Sequence, residues 1–113
     1  MPKLADRLAL VHIIDACQAI QNYVAGLDEQ GFLVDARTRD AVTMQLLVIG
    51  EAANRLSDRA KAMAPGTPWD QVRALRNRIA HGYSSVNFSR VWRIATTDIP
   101  SLDTAARKLI ENC

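Results

Sequence analysis

Residues 3–25 read Lys3-Leu4-Ala5-Asp6-Arg7-Leu8-Ala9-Leu10-Val11-His12-Ile13-Ile14-Asp15-Ala16-Cys17-Gln18-Ala19-Ile20-Gln21-Asn22-Tyr23-Val24-Ala25. Within them Leu4, Leu8, Val11, Ile14, Cys17, Ile20 and Val24 recur at steps of three and four, the period of an α-helix and not of a strand. Gly26 supplies a stop. Residues 28–34, with Gly31 among them, read as a short connection. A second helix is expected from about Arg37 to Met63, capped by Asp35 or Thr38. Its stripe is Val42, Gln45, Ile49, Ala52, Leu56 and Met63, widened by Ala41, Met44 and Val48. So broad an apolar arc implies cover on more than one side. Gly50 lies mid-helix, where it costs about 1 kcal/mol relative to Ala. A close approach by another helix explains it, as does a tolerated defect.

Ala64-Pro65-Gly66 breaks the chain. Thr67-Pro68-Trp69-Asp70 then opens a third helix, with Thr67 as cap, Pro68 at the first helical position and Asp70 at the positive end of the dipole. Trp69, Val72, Leu75 and Ile79 form its stripe, and Gly82 ends it after His81. Asn87 caps a fourth helix carrying Phe88, Val91, Trp92 and Ala95. Pro100 is expected to interrupt that helix, and Ser101 to start a last one with Leu102, Ala105, Leu109 and Ile110. The expected fold is all-α: one domain over residues 1–113, an antiparallel bundle of four to five helices.

Composition agrees. The 113 residues are 49% hydrophobic and 23% charged, which suits a globular chain, and only 5% aromatic, which favours helices over a β-sandwich. A net charge of +2 does not by itself argue for nucleic acid. Cys17 and Cys113 form no motif and read as free thiols in a reducing cytoplasm. No apolar run reaches the ~18 residues of a membrane span, and the N-terminus with Asp6 does not read as a signal peptide. A soluble, cytoplasmic chain is expected.

Chemistry concentrates in Arg76-Asn77-Arg78-Ile79-Ala80-His81-Gly82-Tyr83. Arginine holds phosphate through a planar fork of donors. Histidine gives or takes a proton near pH 7. Five positions at about 100° each put Arg76 and His81 about 140° apart around a helix. They meet at one site if His81 lies on a frayed last turn, or if two chains share a cleft. Asn77 and His81 share a face and could set the imidazole tautomer. A plainer reading is that Arg76, Arg78 and His81 simply favour the negative end of the helix dipole. Arg73 and Arg78 either track phosphate or are solvated, and Glu51 either pairs with Arg76 or faces solvent. His12 and Asp15 offer too few ligands for a metal site. Trp69 and Trp92 have the spacing of core residues, although tryptophan also stacks on bases.

The order Arg76-Asn77-x-x-x-His81 resembles the Arg-polar-x4-6-His motif of HEPN domains, and Gly82-Tyr83 extends it to the Arg-x4-His-x-Tyr form of the HepT-like toxins. Leu47-Val48-Ile49-Gly50-Glu51-Ala52-Ala53-Asn54 resembles the family's second long helix. Pro68-Trp69 and Val91-Trp92 with Asp98-Ile99-Pro100 extend the likeness over nearly the whole chain.

The resemblance implies a metal-independent endoribonuclease without a cofactor. It implies a homodimer whose two motif helices line one RNA cleft, with Arg76 and His81 catalytic and Asn77 supporting. It further implies a toxin of a type VII-like toxin–antitoxin pair. The partner would be a minimal nucleotidyltransferase antitoxin that transfers AMP to Tyr83, with room for a higher assembly of the two. The rival is a non-catalytic helical partner or substrate of such a transferase; the intact Arg76, His81 and Tyr83 favour the enzyme.

Overall fold

The computed structural model describes residues 4–112. The expected helix start at Lys3 and the thiol of Cys113 lie outside them. The first helix, α1 (Leu4–Val24), ends ahead of Gly26, whose φ of 81° is one that side chains avoid. Residues 29–34 are not a plain connection but a short helix, α2 (Glu29–Val34). The Asp28 carboxylate accepts from the Gly31 N–H at 2.8 Å, and buried Phe32, 5.3 Å from the Trp92 ring, ties the turn to the core. That tertiary anchor outweighs the low helix propensity of Gly31.

Asp35 caps α3 (Ala36–Arg55). It accepts from the hydroxyl of Thr38 at 2.7 Å and from its N–H at 3.2 Å, and these bonds hold its carboxyl below the ordinary value. The helix stops at Arg55, well before Met63. Leu56 is extended, and Ser57 caps a separate helix, α4 (Asp58–Ala62), by accepting from the Ala60 N–H. The cause lies far away in sequence. Buried Asp6 of α1 accepts from the Ser57 N–H and hydroxyl, both at 2.8 Å, claiming an amide that a continuing helix would have used. Met63 is consequently exposed.

The motif helix, α5 (Trp69–His81), starts without a side-chain cap. Pro68 holds the cap position itself, one place before the position expected of it, and Thr67 does not cap. A 3-10 turn (Tyr83–Ser85) follows, and Asn87 caps α6 (Phe88–Arg93) as expected. Pro100 does not break the chain. A π turn (Ile94–Asp98) joins α6 to α7 (Ile99–Glu111), with the Ile99 N–H reaching back to the Ile94 carbonyl. The wider turn carries the path past a residue that has no N–H to give.

Cross-contacts fix the directions. Asp6 at the start of α1 meets Ser57 beyond the end of α3, Gln21 near the end of α1 donates to Asp103 of α7 at 3.3 Å, and Gly50 of α3 lies against Arg76 of α5. The long helices therefore stand antiparallel in the order α7–α1–α3–α5, with α6 and the π turn packed across α1 and α3. The core runs through Leu10, Ile13, Ile20, Val42, Leu46, Ile49, Val91, Leu102 and Leu109.

The burial of α1 keeps Cys17 and Ile20 of the expected stripe inside but departs from it elsewhere: Leu4, Leu8 and Val11 are exposed, and Ala9, Ile13 and Ala16 face inward. Small residues on the inner stripe let neighbouring helices approach closely, which a reading weighted toward large apolar residues misses. On α3, Met44 is likewise exposed, while Leu46 and Ala53 are buried. Burial and the nearby Asp103 carboxylate push the Cys17 thiol up to about 12, so it stays a protonated core group.

The bundle does not close between α5 and α7. A cleft of about 930 Å³ separates them, floored by Leu46, Ile49, Val72, Leu75, Leu102 and Leu109. Ile79 is the one fully buried residue of α5.

Candidate active site

Arg76 is built into the contact between α5 and α3. Gly50 exists for this contact: a Cβ placed there would overlap the Arg76 Cβ and come within 2.7 Å of its Cγ. The absence of a side chain lets the stem of Arg76 lie on the backbone of α3. The guanidinium then meets Glu51, the next residue. Arg76 Nε donates to Glu51 Oε1 at 2.6 Å, and Nη2 lies 2.5 Å from the same oxygen. Nη1 donates to the Asn77 side-chain oxygen at 3.0 Å. Glu51 is thus a partner of Arg76 rather than a solvated side chain. Asn77 orients the cation, and no side-chain hydrogen bond joins it to His81.

His81 is the last residue of α5 and is exposed, its side chain making no hydrogen bond among the described residues. The helix is intact up to it: the Gly82 N–H donates to the Arg78 carbonyl at 2.9 Å. No frayed turn relieves the angular offset between Arg76 and His81 within one chain.

Tyr83 follows in the 3-10 turn, 47% exposed, with its ring edge-on to Phe88 at 6.3 Å. Its hydroxyl donates to the carboxylate of Asp40, in the first turns of α3. That bond raises the phenol above its ordinary value. Beside it the Arg39 guanidinium lies 4.7 Å from the Phe88 ring centre and donates to the Leu33 carbonyl. Sequence reasoning missed Asp40, since nothing local marks one exposed acidic residue 43 positions before its partner.

The remaining candidates are dispersed. Arg73 pairs with Asp70 at 3.3 Å on the exposed face. Arg78 borders a small cavity with Val86, Asn87 and Arg90, on the flank of α5 turned from Gly50. The large cleft lies on that flank too, and none of Arg76, His81 or Tyr83 lines it. Trp69 donates to the Lys61 carbonyl at 3.3 Å and Trp92 packs on Phe32, which makes both structural. His12 Nδ1 lies 3.0 Å from Arg55 Nη2 and belongs to no cluster of three or more His, Cys, Asp or Glu side chains that could hold a metal among the described residues. In the same residues no helix is long and apolar enough to cross a membrane.

Residues 13–109, which include every group of this site, match the family model "Ribonuclease HepT-like". The chain belongs to the HepT-like ribonuclease family. Among curated proteins it is 31% identical to the "Probable ribonuclease HepT" of Thermococcus cleftensis, across 88% of this chain and 91% of that one. It is 31% identical to a "Putative RNase" of Methanocaldococcus jannaschii, across 89% and 84%. Another RNase-named relative, from Caldanaerobacter subterraneus subsp. tengcongensis, is 26% identical across 90% and 91%. No solved structure matches the chain. Family and fold agree with the all-α, HEPN-like bundle expected from sequence, and the family name is that of an RNase.

Proposed function

We propose that this HepT-like chain is a metal-independent endoribonuclease toxin that cuts RNA at a cleft shared by two copies. The observation that carries this reading is a fixed cation and an exposed imidazole on one helix: Arg76 is fixed in place by Gly50, Glu51 and Asn77, and His81 is open to solvent at the end of the same helix. RNA brings its own nucleophile. A base removes the 2′-hydroxyl proton, the oxygen attacks the neighbouring phosphorus, and the 5′-oxygen of the next nucleotide leaves with a proton from an acid. The products are a 2′,3′-cyclic phosphate and a 5′-hydroxyl. His81 is the proton carrier, and Arg76 neutralises charge that grows on the phosphoryl oxygens. Because α5 stays helical through His81, the two groups of one chain point apart. A two-fold dimer brings two copies of Arg76 and of His81 to one cleft, with one histidine as base and its mate as acid.

In this reading a minimal nucleotidyltransferase encoded as antitoxin transfers AMP to Tyr83, two residues from His81. The added phosphate competes with RNA for Arg76. The purified, unmodified chain is expected to cleave cellular RNA in the presence of EDTA and to leave cyclic-phosphate ends. Strict dependence on added magnesium rejects the mechanism, and absence of cleavage favours the non-catalytic partner role.

A further inference from the structure

The chain has two tyrosines, and exposure does not choose between them: Tyr83 is 47% exposed and Tyr23 41%. Their surroundings differ. The Tyr23 hydroxyl has no hydrogen-bond partner among the described residues, whereas the Tyr83 hydroxyl is hydrogen-bonded to the Asp40 carboxylate. A phenol is a poor nucleophile at neutral pH because its proton is held near pH 10. A carboxylate already bonded to that proton removes it as the oxygen reacts. We infer that Asp40 is the general base for nucleotidylylation of this chain, so that the acceptor, not only the incoming transferase, supplies a catalytic group. This inference rests on the AMP-transfer reading above and adds to it the residue that selects Tyr83 over Tyr23.

The Tyr83 oxygen forms a bond to the α-phosphorus of ATP, which the partner enzyme brings with its divalent cation. The bond from that phosphorus to the bridging oxygen breaks and pyrophosphate departs. The phenol proton passes to Asp40 and then to water. The geometry suits such a transfer because the contact spans two elements that the fold holds independently, the first turns of α3 and the 3-10 turn after α5. The charged groups facing the phenol are Asp40 and Arg39, both from α3; α6 contributes the uncharged Phe88 ring, and His81 closes α5 two residues earlier. The raised phenol value fits a base that acts during attack, not one that forms free phenolate beforehand.

The test is the rate of AMP incorporation, followed by intact mass, with the neighbouring nucleotidyltransferase, ATP and magnesium. Asp40→Asn keeps an oxygen that accepts the same hydrogen bond but cannot take the proton, and circular dichroism checks its fold. Its rate at pH 7 should fall about 10²- to 10⁴-fold and climb with pH toward the ionisation of the phenol, where it converges on wild type. Asp40→Glu should recover much of the loss. An Asp40→Asn chain modified as fast as wild type overturns the role of Asp40 alone, and so does a slow variant whose rate ignores pH. A wild-type chain that gains no AMP, or a Tyr83→Phe chain that gains it normally, overturns the AMP-transfer reading and the inference together.

Discussion

Arg76 and His81 are five residues apart on one helix, and the fold treats them in opposite ways. Arg76 is gripped by three neighbours from two helices: the bare backbone of Gly50, the carboxylate of Glu51 and the amide of Asn77. The His81 side chain has no hydrogen bond among the described residues and stands exposed at the helix end. The difference fits their chemistry. A group that stabilises charge works best when its position is set before the substrate arrives. A group that carries a proton must reach both its target and solvent, and can be ordered by the substrate or by a second copy.

Removing each group separates the two arrangements, and the largest effect is expected there. His81→Ala should lower RNA cleavage by about 10²- to 10⁴-fold while moving stability by no more than about 0.5 kcal/mol. Arg76→Ala should lose cleavage on a similar scale and also lose about 1 kcal/mol of stability, because it breaks a cross-helix ion pair. Parallel single-turnover assays and urea melts read both quantities. An equal stability loss in the two variants would erase the distinction between a fixed cation and a free imidazole.

Gly50→Ala attacks the grip without touching either charged group. The new methyl has no room beside Arg76, so α5 must shift. Overpacking of this kind costs about 1–3 kcal/mol, and a displaced cation about 10² in rate. A Gly50→Ala chain that cleaves and melts like wild type would show that the close approach of α3 and α5 does not set the site.

The smallest effect belongs to a position remote from both groups. The Asp35 carboxyl is held below its ordinary value by Thr38, so its share of stability is present above the unfolded value near 3.8 and is lost as pH falls through the lowered folded value. Asp35→Ala should melt slightly earlier at pH 7, and its difference from wild type should shrink toward pH 3. A constant difference between those pH values would remove the titrating cap from the account.

What was legible in the sequence was local. Gly26 after a periodic run, Asn87 before Phe88, and Gly82 after His81 each carry their meaning within a few residues, and all three hold in the structure. Gly50 was visible as an anomaly, but only the fold shows which helix it admits. What stayed hidden depends on pairs far apart in the chain. Asp6 ends α3 through Ser57, 51 residues on, and Asp40 meets Tyr83 across 43. Pro100 misled for a different reason: a π turn keeps the helical path intact by spacing one hydrogen bond wider, an adjustment that residue preferences do not announce.

The unclosed side of the bundle also governs how the molecule comes apart. α5 leans on α3 along one flank and borders the cleft along the other, so that the helix bearing Arg76 and His81 has far less apolar contact to lose than α1 or α3. Local stability follows such contact. Backbone amides of residues 72–79 should therefore trade their protons for deuterium well before those of residues 10–20, and heating should melt α5 while the α1–α3 pair still stands. Any molecule that fills the gap between α5 and α7 would slow that exchange, which makes deuterium uptake along one short helix a gauge of what binds this chain.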